Sequence, residues 1–147
     1  MIQYTIHLQP VTKKNSQRLV NIKGRIVPLP SEAYKRYEAQ AGQYLRPPPE
    51  KPIDYPVEIS CVYMLPLNKD GSRPKRQPDL TNLLEATHDV LVKYKIIADD
   101  NVSVIVSVDG SRAYYTREDP KTIITITEID NEETCRDRRE GNREDTP

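Results

Sequence analysis

The 147-residue sequence contains no phenylalanine and no tryptophan, so its large aromatic side chains are nine tyrosines. Apolar contacts that need an aromatic ring must therefore use rings with a polar hydroxyl group. Cysteine is also scarce: Cys61 and Cys135 lie far apart, and neither belongs to a CxxC or Cys/His array. This spacing predicts neither a disulfide framework nor a zinc site, and we expect Cys61 to be a small core residue.

Long apolar runs are absent as well. No segment approaches the roughly 20 apolar residues that span a bilayer, and the first residues show no signal-peptide pattern. We therefore expect a cytoplasmic protein without a membrane partner. The sequence also lacks GxxxxGK[ST], GxGxxG, HExxH and nucleophile-elbow motifs. Their absence disfavours nucleotide-dependent motors and zinc peptidases, and we expect no nucleotide cofactor.

Neither sign of charge is in excess over the whole chain. It has 22 basic and 22 acidic residues, which disfavours a uniformly basic nucleic-acid-binding surface. The distribution is uneven, however, because residues 130–147 hold seven acidic and four basic residues and no Ile, Leu, Val or aromatic side chain. Such a segment cannot offset the entropy cost of ordering. We predict one domain over residues 1–129 and a disordered polar tail over 130–147.

Two basic clusters lie within the predicted domain. Residues 1–30 contain five basic side chains and no acidic one, and a second cluster precedes the most amphipathic segment. Both are candidate surfaces for a polyanion, although basic clusters also occur in solvated loops. The two clusters consist of Lys13, Lys14, Arg18, Lys23, Arg25, Lys69, Arg73, Lys75 and Arg76.

The periodicity of apolar residues predicts a mixed α/β (α+β) fold, with one mixed β-sheet and two main helices. Alternation over residues 1–10 is typical of a strand, and Lys23-Gly24 is a tight-turn signal. We predict a hairpin over 18–22 and 25–29 and a helix from the N-cap Ser31 to about Leu45. A strand over 57–65 and a helix over 79–94 follow. A final hairpin is predicted from strands over 102–108 and 122–129, with a turn near Asp109-Gly110.

The second predicted helix is the most amphipathic one. Its apolar face contains Leu80, Leu83, Leu84, Thr87, Val90, Leu91 and Tyr94, and its opposite side contains Asn82, Glu85, Asp89 and Lys93. Asp79 stands at the N-cap position, where its carboxylate can accept free backbone N–H groups. His88 lies on a flank that we expect to be exposed, His7 points outward from the first strand, and we assign neither a role.

Acidic residues occur at both ends of this helix. Asp79 precedes it, and Asp99-Asp100 follows it, just before a predicted strand. Convergent carboxylates at the ends of elements suit Mg2+, which takes oxygen ligands, keeps several waters and then binds phosphate oxygens. The alternative is that Asp79 only caps the helix and Asp99-Asp100 only forms a turn.

The segment from Arg76 to Asp100, RQPDLTNLLEATHDVLVKYKIIADD, resembles the signature of the RusA-like Holliday junction resolvases. This signature combines a basic loop, PDxxNL, a helix with a D-[AV]-L step, and a DD pair before a strand. A first strand ending in Pro10, the Lys14-Asn15-Ser16 element, a basic hairpin and a helix start with Ser31 and Tyr34 also occur in the family's order. The resemblance covers about residues 1–129.

The resemblance implies a homodimeric, Mg2+-dependent endodeoxyribonuclease that cuts four-way or other branched DNA junctions, with Mn2+ as a substitute ion. Asp79 and Asp100 match the family's essential carboxylates, and Asp99 and Asn82 match supporting positions. The basic clusters would bind DNA phosphates. The sequence departs from the family's founding member at two positions, where Thr81 replaces a second aspartate and Glu85 replaces a lysine.

These departures leave alternatives open. Thr81 offers only a hydroxyl, which reduces the anionic charge of a Mg2+ site. Glu85 adds a carboxylate that could join Asp79, Asp99 and Asp100 around the ion, or could belong with Asp89 to a solvated helix face. The chain could accordingly be a DNA-structure-binding protein with weak or no cleavage. A third interpretation is a protein adaptor, in which the acidic residues cap helices and the tail docks a partner.

Overall fold

The computed structural model describes residues 1–13, 18–29, 31–130 and 134–135, and of Arg18 and Pro28 the backbone alone. Lys14 and almost all of the predicted tail lie outside these residues. The elements are β1 (Ile2–Ile6), β2 (Arg18–Ile22), β3 (Arg25–Leu29), α1 (Glu32–Ala41), a 3-10 turn (Gly42–Tyr44), β4 (Val57–Pro66), α2 (Leu80–Lys93), β5 (Ile105–Ser107), β6 (Arg112–Thr116) and β7 (Lys121–Glu128). Neither helix in this part of the chain is long and apolar enough to cross a bilayer.

Five strands form a mixed sheet around β4. β7 pairs antiparallel with both β1 and β4 and therefore lies between them. β5 and β6 pair parallel with the other edge of β4, one after the other along its length. β2 and β3 form a separate two-stranded sheet. The predicted single α+β domain, with a mixed sheet and two main helices, is confirmed.

One face of the large sheet carries the hydrophobic core. Burial alternates strictly along β4, as expected for a strand with one covered face. The same core contains residues of β1, β7 and both helices, among them Tyr4, Ile6, Tyr37, Ala41, Leu83, Val90, Leu91, Ile124 and Ile126. Full burial of an aliphatic side chain contributes about 1.5–3 kcal/mol, so these contacts hold α1 and α2 against the sheet.

Tyrosines supply the large aromatic contacts, and two of them bond through their hydroxyl groups to other elements. Tyr63 on β4 is buried, and its hydroxyl lies 2.7 Å from Thr87 Oγ1 on α2. Because Thr87 donates its own proton to the Leu83 carbonyl, Tyr63 is the donor to Thr87. Tyr94 donates to the Glu38 carbonyl at 2.6 Å. These bonds tie α2 to β4 and to α1.

Two local signals in the first third of the chain are confirmed. Lys23 and Gly24 have φ angles of 51° and 79°, as the two central residues of a type I′ hairpin turn require. Ser31 caps α1, because its Oγ accepts a hydrogen bond from Tyr34 N at 3.1 Å. The regular helix ends at Ala41, and the 3-10 turn continues to the predicted end at Leu45.

Other boundaries differ from the predictions. β1 ends at Ile6, four residues before Pro10. The strand predicted from Val102 begins only at Ile105, because Asn101 starts a helical turn: its carbonyl accepts from Val104 N and Ile105 N. Val102 is consequently exposed, and β5 has three residues.

The predicted hairpin around Asp109-Gly110 is wrong. β5 and β6, on either side of this turn, run in the same direction along β4. Along β4, Cys61 lies between the residues that pair with β5 and those that pair with β6. There, Cys61 N donates to Ser111 Oγ, which takes the place of a backbone acceptor. The turn therefore interrupts a strand without reversing the chain. β7 then crosses to the opposite edge of β4, and β6 was missed because the turn residues suggested a reversal.

The two cysteines should react very differently. Burial raises the pKa of the Cys61 thiol to about 12, whereas Cys135 is exposed. Because the thiolate is the reactive form, an alkylating reagent at pH 8 should modify Cys135 in the folded chain and Cys61 only in urea, as seen by peptide mass spectrometry. A folded Cys135→Ser control should remain unmodified. Comparable rates at both thiols in buffer would contradict the buried position of Cys61.

Candidate active site

Asp79 marks the start of α2, on the exposed side of the domain. Its backbone carbonyl accepts from Asn82 N and Leu83 N, which opens the helix at this residue. The carboxylate makes no cap bond to the backbone; its Oδ2 lies 3.3 Å from the Asn82 side-chain nitrogen instead. The predicted carboxylate cap is therefore wrong, and Asp79 presents its charge to solvent near the positive end of the helix dipole.

Three other residues at this end of α2 belong to the sequence-based site, namely Thr81, Asn82 and Glu85. Thr81 is exposed, and Glu85 lies one turn further along and is partly buried. Leu80, which was expected on the apolar face, is 38% exposed. The first turn of α2 thus projects beyond the core and carries polar side chains outward.

A Schellman motif ends α2 and turns the chain back. Lys95 adopts a φ of 59°, Lys95 N donates to the Val92 carbonyl, and Ile96 N donates to the Leu91 carbonyl. Ile96 and Ile97 are then fully buried. The chain leaves the helix in a fixed direction, because both the motif and the two buried side chains constrain it.

Pairing with Ile53 fixes the loop that carries the two adjacent aspartates. Ile53 N donates to the Ile96 carbonyl at 3.0 Å, and Ala98 N donates to the Ile53 carbonyl at 2.8 Å, which makes a parallel bridge between Ile53 and Ile97. Asp99 follows directly after this bridge. The position of the acidic loop is therefore determined by the segment that leads into β4.

Within this loop, Asp99 and Asp100 have different surroundings. Asp99 accepts from Asp100 N at 2.7 Å through Oδ1 and from the Asn101 side chain at 3.0 Å through Oδ2. Both of its carboxylate oxygens are used to shape the turn. Asp100 is exposed. Of the two residues, Asp100 is the better candidate ligand.

The charge of Asp100 acts on two residues of α2. Burial lowers the pKa of His88, and the negative charges of Asp100 and Asp89 act against this effect. Burial raises the pKa of Asp89; nearby Lys13 lowers it, and the charges of Asp100 and Glu85 raise it further. Glu85, His88 and Asp89 occupy positions i, i+3 and i+4 and therefore lie on one side of the helix. The charge of Asp100 acts on the second and third of these residues.

Lys13 brings a cation to this acidic face. Its Nζ lies 3.5 Å from Asp89 Oδ2 and 6.0 Å from the centre of the Tyr34 ring. Lys13 was predicted as a phosphate contact, but the structure pairs it with a carboxylate. The ion pair connects the segment after β1 with α2, and the Tyr34 ring of α1 lies close to the same ammonium group.

The second basic cluster directly precedes Asp79 in the chain. Lys69, Lys75 and Arg76 are exposed, and the Arg73 guanidinium lies 5.3 Å from the centre of the Tyr115 ring. A cavity of about 360 Å³ is lined by Pro10, Thr12, Arg76, Gln77 and Pro78. It lies between the segment before Lys13 and the residues that lead into Asp79, and Arg76 of the second basic cluster lines it.

The charge of Asp100 thus acts on His88 and Asp89, while Asp79 stands at the start of the same helix. Within the described ranges, no three His, Cys, Asp or Glu side chains are close enough together to hold a metal ion. The donors fit Mg2+ by their chemistry, since this ion is commonly held by one or two carboxylates together with substrate phosphates. Asp79 and Asp100 are such carboxylates.

Sequence reasoning missed the involvement of Asp89 and His88. His88 was expected on an exposed flank, but it is partly buried. The signal was present in the helical spacing, because both residues are adjacent to buried Thr87 and Val90 and therefore border the core. The partner of Asp89 could not be found this way, since Lys13 is 76 residues away.

The proximity of the acidic loop to α2 can be tested by titration without divalent metal. Asp100→Asn removes a negative charge, so the pKa values of both Asp89 and His88 should fall. Lys13→Met removes a positive charge, so the pKa of Asp89 should rise. NMR titration of the carboxyl and imidazole signals measures both effects, and Asp109→Asn serves as the charge-matched control. An unchanged pKa of His88 in Asp100→Asn would show that the acidic loop is not close to α2.

Comparison with known proteins identifies the family of the chain. A scan against family models matches residues 7–127 to the family described as Endodeoxyribonuclease RusA. The matched range includes Lys13, all of α2 and the acidic loop with Asp99 and Asp100. A search of curated proteins found no match. Since the family match spans most of the chain, the protein belongs to the RusA endodeoxyribonuclease family.

Proposed function

We propose that the protein is a Mg2+-dependent endodeoxyribonuclease that hydrolyses phosphodiester bonds at four-way or other branched DNA junctions. The observation that carries the proposal is the anchored acidic loop: the Ile53–Ile97 bridge fixes the backbone just before Asp99 and Asp100. The charge of Asp100 acts on residues of α2, whose N-cap is Asp79. Family membership supplies the reaction class. The exposed basic residues on both sides of α2 suit a phosphate backbone.

Asp79 and Asp100 would hold the ion, and Asn82 would orient the Asp79 carboxylate through their side-chain contact. When bound, Mg2+ supplies positive charge to the phosphate and lowers the pKa of water. Asp99 contributes indirectly, because its oxygens order the turn that presents Asp100. Glu85 adds negative charge on the same helix side, where it can strengthen attraction for the cation.

Lys13 offers an explanation for the lysine that is missing at position 85. The structure places its ammonium group on the same acidic helix face, held by Asp89. A cation there can stabilise negative charge that develops on a phosphate during hydrolysis. We propose that Lys13 performs this task from a different segment of the chain.

A homodimer completes the proposal. Two active sites related by a two-fold axis can engage two phosphates of a junction that itself has approximate two-fold symmetry. Lys23, Arg25, Lys69, Lys75 and Arg76 would fix the DNA by contacts to the backbone, and such contacts make binding weaken steeply with salt. The choice of a junction over linear duplex would follow from the dimer geometry.

The alternative function is that of a DNA-structure-binding protein with weak or no cleavage. Thr81 favours it, because an exposed hydroxyl replaces one carboxylate of the family's acidic set. Both functions predict junction binding. They differ in whether strands are cut.

Cleavage of a synthetic four-way junction, compared with a matched linear duplex, tests the nuclease function. Wild type should make paired nicks with Mg2+ or Mn2+. Asp79→Asn and Asp100→Asn should each lose roughly 100-fold or more in rate, since even residues that only support metal ligands contribute about 10–100-fold. Asp109→Asn is the matched control, on the exposed turn between β5 and β6. Junction binding without nicks at any metal concentration would favour the alternative function.

The departure at position 81 gives a gain-of-function prediction. Thr81→Asp restores a carboxylate near Asp79, so half-maximal cleavage should need about tenfold less Mg2+, because affinity for a hard cation rises with ligand charge. The measurement is a Mg2+ titration of junction cleavage. Thr127→Asp, which adds the same charge at an exposed position on β7, should leave the titration unchanged. If wild type and both variants need the same Mg2+ concentration for half-maximal cleavage, position 81 does not belong to the metal site.

A further inference from the structure

The hairpin of β2 and β3 stands apart from the main sheet as its own two-stranded sheet. Its strands are joined by the tight Lys23-Gly24 turn. Isolated two-stranded hairpins are marginally stable in water, so natural examples usually have a surface to pack against. The function proposed above gives this hairpin no task beyond the contacts of its basic side chains.

Aliphatic side chains on this hairpin are unusually exposed. Leu19 is 74% and Ile26 is 71% exposed, and Ile22 near the turn is 47% exposed. In the register, Leu19 lies opposite Pro28, and Asn21 lies opposite Ile26. Leu19 and Ile26 are therefore diagonal neighbours on one face, where they form a small apolar patch.

The charge around the patch indicates its partner. Residues 18–29 contain Arg18, Lys23 and Arg25 and no acidic residue. Two such hairpins facing each other across a two-fold axis would repel, whereas a polyanion would be attracted. By the register, Lys23 lies in the turn next to the patch, and Arg25, opposite Ile22, lies on the other face of the hairpin. An apolar patch on a basic element is an arrangement by which proteins insert a wedge between base pairs while they hold neighbouring phosphates.

We propose that the hairpin inserts Leu19 and Ile26 between base pairs at the branch point of a DNA junction, with Lys23 and Arg25 on the adjacent phosphates. This inference rests on the proposed function, since it needs branched DNA as the ligand. Base pairs at a branch point lack a continuous stack, so separating them costs less than in a linear duplex. The wedge would thus add selectivity for the branch.

The test uses the full chain, without divalent metal, and two DNAs: a four-way junction with 2-aminopurine at the branch point and a linear duplex with the same label and sequence. Wild type should raise the fluorescence of the junction by unstacking the label. Leu19→Ser/Ile26→Ser should abolish this rise and weaken junction binding by about tenfold, with duplex binding unchanged. Leu19→Met/Ile26→Met, which keeps the apolar bulk, should retain the rise and thereby controls for folding.

Two further variants separate charge from insertion. Lys23→Gln/Arg25→Gln should weaken binding to both DNAs and reduce the salt dependence of binding by roughly one to two units of slope. Val108→Ser, at an exposed aliphatic residue outside the hairpin, should behave as wild type. Unchanged fluorescence and junction affinity in Leu19→Ser/Ile26→Ser would overturn the wedge. A shift of that variant from dimer to monomer in sedimentation would assign the patch to a second copy of the chain and overturn it as well.

Cleavage in Mg2+, measured in parallel, distinguishes failure of the wedge from failure of the proposed function. If wild type cuts the junction and the serine variant keeps the fluorescence rise, the wedge is wrong and the nuclease function stands. If wild type unstacks the branch point through Leu19 and Ile26 but never cuts, the wedge stands and the nuclease function is wrong. A wild type that binds junction and duplex equally overturns both.

Discussion

The extended segment from Ile53 through β4 is the constraint on which the rest of the structure depends. Its strand pairs with β7 on one edge and with β5 and β6 on the other, and its buried side chains meet both helices in the core. Its first part, Ile53, also bonds to the chain that leaves α2. A single stretch of backbone thereby sets the sheet order and the position of the acidic loop, so fold stability and site geometry are coupled.

Charges of opposite sign meet at the side of α2 that borders the core. Asp89 is partly buried, and burial alone would favour its neutral form; Lys13 counteracts this effect. Because Asp100 and Glu85 act on the same carboxyl, a change of charge at either residue alters the pKa of Asp89. The pair of Lys13 and Asp89 also joins the segment after β1 to the helix, so the electrostatics of the site depends on elements that are far apart in sequence.

Local sequence signals predicted much of the fold because each has a local physical cause. Positive φ angles at Lys23 and Gly24 and the hydroxyl of Ser31 act within a few residues, and these elements were located correctly. The hairpin at Asp109-Gly110 failed for the same reason: the turn chemistry was read correctly, but its outcome depended on pairing with β4. Strand pairing is decided by distant residues, which a local pattern does not contain.

The sequence by itself determined the α+β class, the two main helices, the buried Cys61 and the family signature from Arg76 to Asp100, because periodicity and motif order are properties of the linear chain. Only the tertiary structure decided that Asp99 shapes the turn, that the charge of Asp100 acts on His88 and Asp89, and that Lys13 pairs with Asp89. These relations arise from the Ile53–Ile97 bridge and from contacts across 76 residues, where packing brings together charges that no spacing rule connects.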